Sequence, residues 1–228
     1  MGQLQWGTAS VDNSQMTSPY GRGLMLPRYH LDDSLELRWL YHELSHSLEG
    51  GTLERPGLPV ELIIYILRLA DCVLPSPRFN IEIGDPCHVR ARSGDTVFQT
   101  WFSTPPLDRG LLSKIARMQL KTVSRDQGWC SNPGAGSWSW FELAIISAGD
   151  RGKPAVKRRE GYGEDFVWLS HRNLVAMREN QHLEGMVFDH DHEIWQHLEE
   201  GDRIEIRVCA RFAGWENNAL KGVLKVDE

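Results

Sequence analysis

A chain of 228 residues with 41% apolar and 25% charged side chains can bury a real core, and its composition is that of an ordinary globular protein. The formal net charge of −6 excludes bulk electrostatic attraction to nucleic acid or to an anionic membrane. Nine tryptophans are the outlier, and so many large aromatics favour a β-rich core with some left over for a surface.

Residues 1–28 are polar and turn-rich, end in SPYGRG, and read as a disordered tail. They lack the basic and apolar regions of a signal peptide, and Trp6 stands where a myristoylated start wants Ser or Thr. No apolar run is long enough to span a membrane. The segment 29–78 has helical character. Asp32-Asp33-Ser34 offers an N-cap, Leu37, Leu40, Tyr41, Leu44 and Leu48 follow at helical spacing, and Gly50-Gly51 stops the run. A second helix is expected over residues 58–74, with Pro59 at its first position and Pro75 beyond its end. It is apolar almost all round and should be well buried.

From residue 79 the texture changes to short alternating runs separated by Gly, Pro and Asp. Candidate strands are Cys87–Arg92, Val97–Phe102, Ile115–Thr122, Ser137–Ile146, Val167–Ser170, Met186–Phe188, Arg203–Arg211 and Gly222–Val226. A short helix is expected at His192–Leu198 and a solvated loop at Gly149–Asp165. Eight short strands at this spacing predict a mainly β domain over 79–228, an antiparallel β-sandwich of jelly-roll type preceded by the N-terminal helices.

The richest stretch is Gln127–Leu143, a Trp129-bearing loop of Gly, Ser and Pro that feeds a strand beginning Trp138-Ser139-Trp140-Phe141. Residues two apart share a strand face, so either Trp138 and Trp140 or Phe141 and its neighbours turn inward. The tryptophan pair is the expected core face, leaving Trp129 and Trp215 as the exposed pair on loops. A tryptophan-lined loop feeding a half-buried strand is how many β-sandwiches build a binding rim.

Two resemblances follow from these residues. Leu58-Pro59-Val60-Glu61-Leu62-Ile63-Ile64 looks like the opening of an F-box, whose LP and following Glu lead into an apolar helix. That likeness implies docking of Leu58, Pro59, Leu62 and Ile66 onto a Skp1-type adaptor of a ubiquitin ligase. Residues 115–226 resemble an uncharacterised fungal family with a C-terminal β-domain. The shared elements are DQGW (Asp126–Trp129), SWxWFEL (Ser137–Leu143) and an ending of ARFxGWxN type (Ala210–Asn217). The domain is also similar in outline to the galactose-binding-like jelly rolls that follow F-boxes in glycoprotein receptors, an analogy of fold and order.

Motifs that could carry chemistry are few. His42-Glu43-Leu44-Ser45-His46 is a literal HExxH, the zinc-hydrolase pattern, but both His fall opposite the leucine stripe and point to solvent. Asp189, His190, Asp191, His192, Glu193 and His197 could hold a transition metal or simply begin a helix. Ser170-His171 is a nucleophile and base only on paper. Cys72, Cys87, Cys130 and Cys209 form no CxxC pair and read as reduced thiols of a cytoplasmic or nuclear protein.

The expectation is a non-enzymatic recognition protein without metal or cofactor. Arg125, Trp129, Asn132, Trp215 and Asn217 would line a rim for a protein or glycan ligand. The alternatives are a stand-alone carbohydrate- or peptide-binding module and a metal-dependent hydrolase using the HExxH.

Overall fold

Alternation decides where the strands fall. In Arg203–Arg211, Ile204, Ile206, Val208 and Ala210 point into the core while Glu205, Arg207 and Cys209 take the opposite face. The computed structural model describes residues 34–70, 72–76, 80–148, 154–159 and 163–228. The expected tail, the capping residues Asp32 and Asp33 and part of the 149–165 loop lie outside the described residues.

The elements are α1 (Ser34–Gly50), α2 (Val60–Leu69), β1 (Ile81–Ile83), β2 (Cys87–Arg90), β3 (Thr96–Ser103), α3 (Arg109–Leu112) and β4 (Arg117–Arg125). They continue with β5 (Ser139–Ser147), β6 (Ala155–Val156), β7 (Val167–Arg172), β8 (Gln181–Asp189), α4 (Ile194–His197), β9 (Arg203–Arg211) and β10 (Glu216–Asp227). The fold is mainly β, with two five-stranded antiparallel sheets. One runs β2-β10-β4-β8, with β1 beside the far half of β10; the other runs β3-β9-β5-β7, with β6 beside the end of β5. The pairings β2 with β10, β3 with β9, β4 with β8 and β5 with β7 are nested, like a long hairpin folded over on itself. Met118, Leu120, Phe188 and Leu224 of the first sheet meet Phe141, Leu143, Ile206 and Val208 of the second in one apolar cluster.

All eight candidate strands are present, Arg203–Arg211 with the expected ends and the others with shifted ones. The short strands β1 and β6 and the helix α3 were not anticipated. Two or three residues are too few to show a period, and α3 starts on Asp108, whose carboxylate accepts the Leu111 N–H at 2.7 Å.

Two expectations are corrected. Phe141, Leu143 and Ile145 face the core between the sheets, whereas Trp140 lies on the outer face of β5, though only 7% exposed, and Trp138 is half-buried. Glu142 shares the face of Trp140 and accepts its indole N–H at 2.5 Å, so that face could not be the apolar one. The α2 helix is not well buried. Only Ile63 and Leu67 are, in a small separate cluster with Cys72, Leu37, Tyr41, Leu48 and Leu58. The pair of helices covers one stripe of α2 and leaves Val60, Leu62, Tyr65, Ile66 and Leu69 exposed.

One close approach joins β8 to β7. A Cβ at Gly185 would lie 2.1 Å from Ser170 Oγ and 2.8 Å from the Leu120 carbonyl oxygen. Gly185→Ala is therefore expected to cost about 2 kcal/mol of stability in a denaturant titration. A loss below about 0.5 kcal/mol would mean that the strands part freely at this point.

Candidate functional site

Four loops gather at one end of the two sheets, because the strands that bound them end in register. Arg90 lies opposite Glu216, Asn218 opposite Arg125, Ser124 opposite Gln181, Arg211 opposite Thr96 and Trp140 opposite Arg172. The loops are residues 91–95, 126–138, 173–180 and 212–215. Both tryptophan motifs of the sequence thus reach the same place.

The loop after β4 is held from beneath. Asp126 is 0% exposed, and its carboxylate accepts the Gly128 N–H at 2.8 Å and the Ala176 N–H at 2.5 Å. Its main-chain oxygen accepts Asn218 Nδ2 at 3.1 Å and Arg125 Nη1 at 3.3 Å. One side chain therefore ties the loop before β5 to the loop before β8. A buried carboxylate is tolerated only when its oxygens are occupied in this way. Gly128 has φ +83°, and a Cβ there would meet the Arg178 backbone at 3.5 Å. Gln127 adds a second tie, since its Oε1 accepts the Glu216 N–H at 3.2 Å and its Nε2 donates to the Trp129 carbonyl at 2.6 Å.

A buried polar chain continues below. Ser124 Oγ donates to Asn173 Oδ1 at 2.7 Å, and Asn173 Nδ2 donates to Ser139 Oγ at 3.1 Å and to Asn217 Oδ1 at 2.8 Å. Asn217 Nδ2 donates to the carbonyls of Trp140 and Cys209, at 2.8 and 3.2 Å. The two sheets are thereby joined by hydrogen bonds at this end and by apolar contacts further down.

Of the five expected rim residues, four reach this end. Trp129 is 64% exposed, Asn132 is exposed on the same loop, and Arg125 and Trp215 are half-buried. The Trp215 carbonyl accepts the Ala91 N–H at 2.9 Å, locking its turn to the loop after β2. Asn217 is corrected: it is 0% exposed and spends its amide inside, so it supports the rim without being able to touch a ligand. Sequence reasoning missed Asp126 and Gln127 as the residues that shape the loop. The Asp-x-Gly spacing was the available signal, since a carboxylate bonding an N–H two residues on is a common turn.

The other candidates sit elsewhere. His42, Glu43 and His46 are exposed on α1, the two imidazoles 4.6 Å apart edge to face. His192 accepts the Ile194 N–H at 3.1 Å and packs on Phe188, and His197 stacks on Phe166. Among the described residues no three His, Cys, Asp or Glu side chains converge as a metal site. His171 lies 2.9 Å from Ser170 Oγ and 2.8 Å from Thr122 Oγ1, and its ring stacks on Phe141. Its second partner is a hydroxyl where a Ser-His-acid relay would place a carboxylate. Burial pushes its pKa down from 6.5 to about 4.

No family model matches the chain, and no curated protein does. Among solved structures, one described as the structure of infectious bursal disease virus Gt strain is similar over 67% of this chain, at 12% identity and a TM-score of 0.36. The match spans 33% of that chain.

Two predictions follow from the buried groups. Asp126→Ala leaves two half-buried amides without their acceptor and is expected to cost about 1–3 kcal/mol, whereas Trp129→Ala should change stability by under about 0.5 kcal/mol. Comparable losses in the two variants would contradict the division between clamp and contact residue. For His171, the unfolded chain binds the proton near pH 6.5 and the folded one only near pH 4. Stability should fall as pH drops through this window, by about 3 kcal/mol at pH 4. His171→Gln should remove that component of the slope, and an unchanged slope would contradict it.

Proposed function

We propose that this protein is a non-enzymatic recognition receptor that captures a protein or glycoprotein at its four-loop end and offers α2 to a Skp1-type adaptor, in the manner of an F-box protein. The observation that carries this reading is the contrast within Asp126-Gln127-Gly128-Trp129. Asp126, Gln127 and Gly128 are tied down by buried or bridging hydrogen bonds, and Trp129 stands 64% exposed. A rigidly held aromatic in water suits a contact residue whose ordering cost is met before binding.

The strand order supports a jelly roll, galactose-binding-like in outline. Counting the eight principal strands, the eighth lies between the first and the third in one sheet, and the seventh between the second and the fourth in the other. Such an analogy informs the fold and leaves the ligand open.

The free face of α2 supports the adaptor half of the reading. Leu62 and Ile66 lie four apart and are exposed, roughly 100° around the helix from buried Ile63 and Leu67, with exposed Pro59 at the helix start. Leu58 packs against the helix cluster, so it shapes the face from below. Cys87, Cys130 and Cys209 are free thiols, in keeping with a cytoplasmic or nuclear setting.

The test is a pull-down with a purified fungal Skp1-type adaptor. Wild-type protein should be retained, and a Leu62→Asp, Ile66→Asp double variant should be lost from the beads while its unfolding midpoint stays in place. Failure of the wild type to bind would remove the ligase half of the reading.

A further inference from the structure

Six arginines and no lysine stand in the four loops or at the strand ends that frame them: Arg90, Arg92, Arg125, Arg172, Arg178 and Arg211. The acids of the same segments are Asp95, Asp126, Glu179 and Glu216. Six cations less four anions leave this end at about +2 in a chain whose net charge is −6. A local excess against the overall sign focuses the field on one partner charge.

Which groups face outward narrows the chemistry further. Asp126 is buried on backbone amides, Glu216 lies 3.4 Å from Arg90 and 3.3 Å from His88, and Asn173 and Asn217 are buried. Those four acceptors are taken up internally, while Asp95, Asn132, Glu179 and Asn180 stay exposed, Asp95 accepting from Ser93 at 2.9 Å. Beside those groups the outward surface carries guanidinium donors and the apolar side chains of Trp129, Met177, Leu174 and Phe212, and its exposed cations outnumber its exposed carboxylates, Asp95 and Glu179. Arg92 and Arg178 are exposed and have no carboxylate partner among the described residues. Planar guanidinium forks match carboxylates two bonds at a time.

Their placement sets a spacing. Arg92 follows β2 and, with Arg90, Ala91, Ala213 and Gly214, lines an open recess of about 370 Å³. Arg178 precedes β8 and lies against Gly128, beside Trp129. The order β2-β10-β4-β8 separates the two ends by three strand spacings, roughly 14 Å, with the Trp129 loop rising from β4 between them. An extended peptide gains about 3.4 Å per residue, so side chains four apart return to the same side after the same distance.

We infer that this end binds an extended acidic peptide, with one carboxylate at the Arg92 recess, a second at Arg178, and an apolar side chain between them against Trp129. The inference rests on the recognition reading above and gives it a ligand class.

The experiment uses the full chain and a fluorescein-labelled, serine-based peptide carrying two glutamates four residues apart with a leucine midway, titrated by fluorescence anisotropy. Saturable binding is expected, weakened about tenfold or more by Arg92→Ala and by Arg178→Ala. It should be unchanged by Lys225→Ala on the outer face of the β10 sheet, and absent for the same peptide with glutamine in place of glutamate. Unchanged binding in the Arg92→Ala, Arg178→Ala double variant would overturn the proposal, as would equal affinity for the glutamine peptide. Tighter, Trp129-dependent binding of a phosphoserine peptide or of oligogalacturonate would overturn the acidic-peptide assignment and leave the recognition reading standing. If none of these probes, nor a panel of neutral glycans, binds in a way that Trp129→Ala abolishes, both fall together.

Discussion

The carboxylate of Asp126 has no access to water, and the shape of the four-loop end depends on what it holds. Two backbone amides from separate loops converge on it, that of Gly128 two residues along the chain and that of Ala176 fifty residues along. Ala176 accepts a left-handed backbone, φ +59°, a conformation that costs an alanine about 1 kcal/mol. The bond to Asp126 offsets that cost. Because the tie is internal, the loop carrying Trp129 is ordered in the free protein, and on the proposed reading the entropy of fixing it is not charged against binding.

Below the clamp, Asn173 and Asn217 extend the same logic across the domain. Between them they bond side chains or carbonyls on β4, β5, β9 and β10, so the sheets cannot slide past one another at this end without stranding buried amides. The apolar core beyond is tolerant of direction; the polar chain is not. β10 links the two proposed surfaces. It leaves the rim at Glu216 and ends at Asp227, where Glu228 pairs through its backbone with Leu74 behind α2. Twelve residues of strand span about 40 Å, so the two proposed surfaces lie at opposite ends of β10.

Much of this was legible in the chain, and the reasons for the rest are physical. Long alternating runs such as Arg203–Arg211 announced their strands because each buried face is continuous. The inward face of β5 was misjudged because tryptophan outranked phenylalanine in apparent bulk, while Glu142, on the tryptophan side, was the better guide. The burial of α2 was overestimated because an apolar helix shows how much surface could be covered, not how much the neighbouring helix can reach. Trp129, Trp215 and Asn132 were readable as loop residues near aromatic motifs, and Arg125, at the end of β4, as their neighbour. The Asp126–Ala176 bond was not, since nothing in Leu174–Met177 signals a partner so distant in sequence. For the same reason Asn217 looked like a rim residue: the motif that contains it was visible, and the strand face it takes was not.

Amide hydrogen exchange at Gly128 and Ala176 tests the central claim most directly. If Asp126 clamps the two loops, both amides should exchange as slowly as those of the flanking strands β4 and β7, although they lie in surface loops. Exchange at the rate of the exposed amides around Asn180 would contradict it, because the loop that presents Trp129 would then be loose.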